Sequence, residues 1–419
     1  MPDPLIVIRG LHFAASVIAG GTVCFMALVA RPPARIPAPA DFAQLCRPAN
    51  LLTWFMLALA LVTGAAWLVV LAAQIFDTSI IEAARSGGVW TVLTETRFGW
   101  VWSVRFVLAL LLAGCIGWPR VAAIRVLLAA TFLALLALTG HAGAARGIAG
   151  DFHLVSDIAH VLAAGAWLGA LPAFVLVLGA TRRAVNDDWS GFAIQTTRRF
   201  SILGALSVAT LLASGVVNSW NLLGRPHDLW TTGYGRLIAI KIGLFAAMTA
   251  IAAFNKFFLT PRLPDPPALR DLRRGSLAEI GLGLGVLAAV AVLGLKEPTA
   301  HVHTDASAIP PDAAFVHIHD PAVMADVTIN PGRVGWASVV IRVSREDFSP
   351  YPAKVVTLSL EPPQPIREAL DEAATEQPDG TWIISRIKLA YSGIWTVRVT
   401  ITNRSEELIT LDAPVVIER

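Results

Sequence analysis

Charge is scarce in this chain of 419 residues: Asp, Glu, Lys and Arg make up 15% of it, against 55% hydrophobic residues. That balance excludes an ordinary soluble globular protein, in which about a quarter of the residues are charged. Cysteine is scarcer still, and its three copies, Cys24, Cys46 and Cys115, have no C-x-x-C spacing. A disulfide framework and a thiolate metal cluster are therefore excluded. A nucleophile elbow, a phosphate-binding loop and an H-E-x-x-H sequence are also missing. No enzymatic activity is expected, neither hydrolysis nor nucleotide-driven pumping. The net charge of +3 does not point to nucleic acid, because the arginines lie between apolar stretches rather than along one face.

What is abundant is apolar sequence in blocks. Stretches long enough to cross a hydrocarbon core of about 30 Å occur at 5–30, 50–76, 98–118, 121–141, 153–179, 200–223, 234–259 and 277–296. The first lacks a basic leader and a cleavage motif, so it reads as a spanning helix and not as a removed signal peptide. The odd-numbered connections carry thirteen arginines and the even-numbered ones five. The positive-inside rule then puts the odd connections in the cytoplasm and both termini outside, with the lipid bilayer as the first partner. Trp54, Trp67, Trp102 and Trp167 read as packing or interface residues, and Arg105 and Lys241 as side chains snorkelling to outer headgroups.

After the last span the pattern changes. Residues 297–314 read as a linker, and 315–419 as an antiparallel β-sandwich of Ig-like type. Its strand candidates are 315–319, 325–329, 337–343, 355–360, 382–389, 394–401 and 409–417, with turns at Asp379-Gly380 and Ser392-Gly393.

The membrane region repeats internally. Thr96-Arg97-Phe98-Gly99 followed by Arg105, and Thr232-Gly233-Tyr234-Gly235 followed by Lys241, both read T-x-[F/Y]-G-x5-[R/K]. His12 precedes Gly21 by nine residues, as His160 precedes Gly169. Two four-helix units in parallel orientation account for both matches.

Under this topology all nine histidines fall at or beyond the outer boundary. His153, Asp157 and His160 are spaced by four and three residues, which puts them on one helix face, where imidazoles and a carboxylate suit a cation. His141 lies one short loop away, and His12 would join if the first and fifth spans are adjacent. Interfacial histidines bonded to headgroups or water are the plainer alternative. In the soluble part His317 and His319 alternate along a strand and share a face, and Met324 follows; two imidazoles and a thioether suit copper, with zinc open on the histidines alone. His301 and His303 repeat the H-x-H spacing in the linker.

Thr139-Gly140-His141-Ala142, His160 with Trp167-Leu168-Gly169, Arg199-Phe200-Ser201, Ser214-Gly215, and Thr232 through Lys241 with Asn255 together resemble the copper-resistance D family of bacterial inner-membrane proteins. His317-Ile318-His319, Met324-Ala325-Asp326-Val327, Pro331-Gly332 and Gly393-Ile394-Trp395 are similar to the YtkA-like β-sandwich fused to such membrane domains. The resemblance implies handling of copper ion, Cu(I) or Cu(II), across the inner membrane, with uptake from a periplasmic copper carrier protein as the usual direction. The metal residues would be His12, His141, His153, Asp157, His160, His317, His319 and Met324. A b-type haem protein with haem near the outer face and a copper sensor or scaffold without transport are the rival readings.

Overall fold

The computed structural model describes residues 3–31, 42–76, 78–139, 147–183, 187–223, 226–296, 309–319, 323–345, 350–362, 369–403 and 406–418. The chain divides into two compact units, Met1–His301 and Val302–Arg419.

All eight expected spans are present as helices: α1 (Pro4–Val29), α2 (Phe42–Ile75), α3 (Phe98–Cys115), α4 (Ala122–Thr139), α5 (Gly150–Arg182), α6 (Asp188–Trp220), α7 (Gly233–Arg262) and α8 (Pro266–Leu293). Three of them begin well before their apolar runs. Helices α2, α6 and α8 start at Phe42, Asp188 and Pro266, since backbone hydrogen bonding continues past the edge of the hydrocarbon. Pro266 takes a first-turn position, where its missing N–H leaves no bond unmade.

The repeated Thr-x-x-Gly has one physical explanation in both halves. The Thr96 and Thr232 hydroxyls cap α3 and α7 by accepting from the amides of Gly99 and Gly235, at 2.9 Å each. Each hydroxyl also donates backward, to the carbonyls of Val92 and Asp228 at 2.6 and 2.8 Å. A Cβ on Gly99 would stand 2.0 Å from the Val92 oxygen, and one on Gly235 2.0 Å from the Asp228 oxygen. The motif is thus a helix cap combined with a close backbone approach by the short helix ahead of it.

The two halves meet where α1 crosses α5. A Cβ on Gly21 would lie 2.2 Å from the Gly169 carbonyl carbon, and one on Gly169 would lie 2.0 Å from the Val17 oxygen. Small residues let helix backbones touch, as membrane helices need when no hydrophobic effect drives them together. Both crossing helices contain a π-helical turn, at Phe25–Val29 in α1 and Gly165–Gly169 in α5, and α7 has a third at Asn255–Leu259.

The second unit is the expected two-sheet antiparallel sandwich. Its strands are β1 (Ala314–His319), β2 (Met324–Asn330), β3 (Gly335–Ser344), β4 (Ala353–Glu361), β5 (Leu370–Ala373), β6 (Thr375–Glu376), β7 (Thr381–Leu389), β8 (Gly393–Asn403) and β9 (Leu408–Ile417). One sheet has the order β1-β2-β3-β7-β6 and the other β5-β4-β8-β9. Alternate side chains, among them Val327, Ile341, Leu358, Val397 and Trp395, fill the space between the sheets. Strands β5 and β6 are additions to the expected set. They are short, polar edge strands with no apolar alternation for hydropathy to detect.

We predict that Gly21→Ala lowers the melting temperature of the detergent-solubilised protein by the equivalent of about 1–3 kcal/mol of overpacking. Gly179→Ala, in helix α5 with nothing within 4 Å of the added carbon, should leave it unchanged or slightly raised. Equal melting of the two variants would show that the α1/α5 crossing tolerates a side chain.

Candidate metal site

His12 lies on α1 and is 1% exposed. Its Nδ1 is 3.1 Å from the Ala60 carbonyl and 3.2 Å from the Thr63 hydroxyl, both on α2. Its Nε2 is 2.9 Å from the Arg105 guanidinium on α3. A carbonyl can only accept and a guanidinium can only donate, so the partners fix the tautomer: Nδ1 carries the proton and the Nε2 lone pair accepts from Arg105. Arg105, itself 1% exposed, also donates to the Phe132 carbonyl and, at 3.2 Å, to the Ser16 hydroxyl. Its guanidinium carbon sits 4.3 Å from the Phe132 ring centroid. Trp102 packs on the His12 ring at 4.7 Å between centroids.

One expectation is corrected by this arrangement. Arg105 does not snorkel to the headgroups; it is enclosed by α1, α3 and α4. The His12 lone pair that a metal would use accepts from Arg105, a permanent cation.

The second half repeats the plan with different chemistry. On α5, His160 Nδ1 lies 2.9 Å from the Ser214 hydroxyl of α6. That hydroxyl donates its only hydrogen to the Thr210 carbonyl at 2.6 Å, so it accepts from His160 and leaves Nε2 with the lone pair. Thr63-Gly64 and Ser214-Gly215 are therefore equivalent positions: each hydroxyl back-bonds its own helix and orients an imidazole, as Thr63 does at 2.7 Å to Leu59. Lys241 stands where Arg105 stands in the first half, and its charge acts on both Asp157 and His160. The Asp157 carboxylate accepts from the Asn218 amide at 3.0 Å, and the Asn218 carbonyl accepts from Ser156 at 3.2 Å.

His153, Asp157 and His160 occupy one face of α5, yet they do not form a single site. Seven residues of helix separate the two imidazoles by about 10 Å along the axis, too far to share one ion. Among the described residues no group of three or more His, Cys, Asp or Glu converges as a metal set. The three residues follow one another along one face of α5. His141, like His301 and His303 of the linker, lies outside the described residues.

In the sandwich the register of the first hairpin pairs His317 with Asp326 and His319 with Met324. Residues directly opposite in an antiparallel pair share a face, so His317, Asp326 and Met324 lie on the same side of the hairpin. Asp326 was not singled out by sequence spacing. Its carboxylate bonds His317 Nδ1, the contact that commonly orients a metal-binding imidazole. Met324 is 1% exposed.

Two further residues escaped the sequence reading. Asn218 is polar at the end of an apolar span, and Glu279 is the single carboxylate in the apolar run 277–296. An ionisable residue within hydrocarbon length is itself a signal.

The membrane unit is similar in sequence to known proteins. Residues 194–293 match the family described as Copper resistance protein D, and residues 1–151 match the family described as Copper resistance protein D-like, N-terminal domain. The chain is 29% identical over 217 residues to Inner membrane protein YebZ of Escherichia coli, covering 51% of this chain and 73% of that one. It is 28% identical over 243 residues to Copper transport protein CutJ of Bacillus subtilis, covering 52% of this chain and 42% of that relative. With Copper resistance protein D of Pseudomonas syringae pv. tomato it shares 31% identity over 220 residues, 49% of this chain and 71% of the relative. On that match, and on a membrane unit built from two parallel halves, the chain belongs to the copper-resistance protein D family.

Proposed function

We propose that this chain is a copper permease of the bacterial inner membrane, with both termini in the periplasm and copper moving inward. The observation that carries the reading is His160. Its Nδ1 is fixed by Ser214, which presents the Nε2 lone pair deep in α5 on the face shared with Asp157 and His153. Copper ion is the substrate, and it descends this face as a ladder from His153 through Asp157 to His160, with His141 at the entrance. Capture begins on the sandwich, where His317, held by Asp326, and Met324 form a ligand face with His319. Imidazole and thioether together suit Cu(I), and imidazole alone suits Cu(II). A separate periplasmic carrier protein is the partner that delivers the ion.

The charge balance fits a small, weakly charged cargo. Lys241 opposes any cation at His160, and Asp157 offsets it. A monovalent ion meets less net repulsion there than a divalent one. His12 is excluded from the path because its ring serves Arg105.

In sealed proteoliposomes we expect copper uptake to be lost in His160→Ala and reduced in His153→Ala. Uptake that survives both substitutions at full rate would eliminate the α5 ladder. His12→Ala should retain the wild-type copper stoichiometry while losing about 1.5–3 kcal/mol of stability, the worth of a hydrogen bond to a charged group. Loss of copper without loss of stability would return His12 to the metal set. Asp326→Asn should weaken copper binding at the sandwich about 10–100-fold, as removal of an outer-shell carboxylate does elsewhere; isothermal titration at pH 7 reads this directly, and an unchanged affinity would argue against His317 as a ligand.

A further inference from the structure

Glu279 on α8 plays no part in the ladder of α5. It is 3% exposed and lies just inside the start of the apolar run 277–296 of α8. Its carboxylate accepts from the Asn255 amide at 2.8 Å and from the Trp167 indole at 3.2 Å. Both donors belong to π-helical turns, Asn255 at the start of Asn255–Leu259 and Trp167 within Gly165–Gly169. A π turn inserts an extra residue and re-aims side chains, and such turns are concentrated at functional sites. Two separate helices have thus been locally distorted around one acid.

Beside the acid is a cavity of about 290 Å³, lined among others by Thr197, Ser201, Thr249, Asn255, Ser276 and Glu279. At about 30 Å³ per molecule in the liquid, it has room for several waters. The Thr197 and Thr249 hydroxyls are buried without a hydrogen-bond partner among the described residues, and a cavity with unmet polar groups is one that waters fill. It lies in the half of the bundle nearest the Arg-rich α5–α6 and α7–α8 connections, opposite in depth to the start of α5.

Charge cannot rest permanently in such a place. No cation lies within ion-pair distance of Glu279 among the described residues. Between His12 and Arg31 α1 has only the Cys24 thiol, and between His160 and Arg182 α5 has no titratable group. Helix α7 offers Lys256 at the cavity wall; Arg198 and Arg199 on α6, and Asp271 and Arg273 on α8, stand nearer the connections. An isolated carboxylate in hydrocarbon costs several kcal/mol, and the usual escape is to take up a proton. Two neutral donors, however, stabilise the ionised form, which keeps both states within reach.

We propose that Glu279 is a proton-binding site reached through this cavity from the Arg-rich face. One proton from water on that side forms an O–H bond on the carboxylate and neutralises it; release reverses the step. Where the protein carries copper, as proposed above, the proton is its coupling ion; the site itself is tested without copper.

The purified wild-type protein is treated with dicyclohexylcarbodiimide, which adds to protonated carboxyl groups in apolar surroundings, and Glu279 is followed by peptide mass spectrometry between pH 5 and 9. Labelling of Glu279 should fall about tenfold per pH unit once the group ionises, and sodium at constant pH should not protect it. Labelling that is absent, independent of pH, or blocked by sodium would overturn the proposal, the last in favour of a metal cation site. Gly275→Ala, whose new carbon would stand 2.5 Å from the Asn255 side chain, should shift the midpoint of the labelling curve by disturbing a donor; an unmoved midpoint would overturn the role given to Asn255. Copper flux driven by an imposed pH gradient is measured separately. Pronounced flux in wild type that survives unchanged in Glu279→Gln would overturn coupling, whereas no flux in wild type, with the labelling curve intact, would count against the permease and not against the proton site.

Discussion

A charge in hydrocarbon has no water to turn to, and this constraint organises the membrane unit. Each four-helix half contains a cation on its third helix, Arg105 or Lys241, and a histidine on its first, His12 or His160. A hydroxyl from the second helix orients each imidazole. The cation must be satisfied by neighbours, so helices one to three are held at fixed depth relative to each other. The Gly21–Gly169 contact then joins the two halves through bare backbone, which sets the distance between the two pockets more firmly than side-chain packing alone would.

Much of this plan was legible in the sequence. Hydropathy located all eight helices, because length and apolarity are what a bilayer demands. The paired Thr-x-x-Gly motifs and the His-to-Gly interval of nine marked the repeat, and the structure gives each a cause: a cap with a close approach, and a helix crossing. What periodicity could not show was the partner of each ionisable group. The sequence reading sent Arg105 to the headgroups because snorkelling needs no partner, whereas the guanidinium finds three acceptors from α1 and α4. Likewise, spacings of three and four put His153, Asp157 and His160 on one face but said nothing of the axial distance between the outer two.

The sandwich shows the complementary case. Period-2 alternation placed His317 and His319 together within one strand, and Met324 was noted only for its proximity in sequence. Pairing across the hairpin supplied the relation that matters, since register brings Asp326 opposite His317 and Met324 opposite His319. Strand register is set by turn geometry and by which face is buried, and neither is visible in a short window of sequence.

The two halves also show how one scaffold can hold two roles. Arginine never loses its proton under these conditions and presents a rigid fork of donors. Placed on His12, it locks the ring and removes its lone pair from chemistry, which makes the first pocket a structural clamp. Lysine presents a point charge that shifts with its surroundings, and its pocket contains a carboxylate, Asp157, that the first pocket lacks. Position 157 corresponds by the His-based offset to Arg9 in α1, whose guanidinium lies 4.8 Å from the Trp67 ring and donates to the Gly294 carbonyl. Where the second half places an acid one turn from its histidine, the first half places a second arginine. A cation entering the first pocket would meet two permanent positive charges, while the second pocket has a lysine and an aspartate. The two halves share one geometry; on the reading proposed above, the sign of the charge one turn from the histidine is what distinguishes the copy that takes a metal ion.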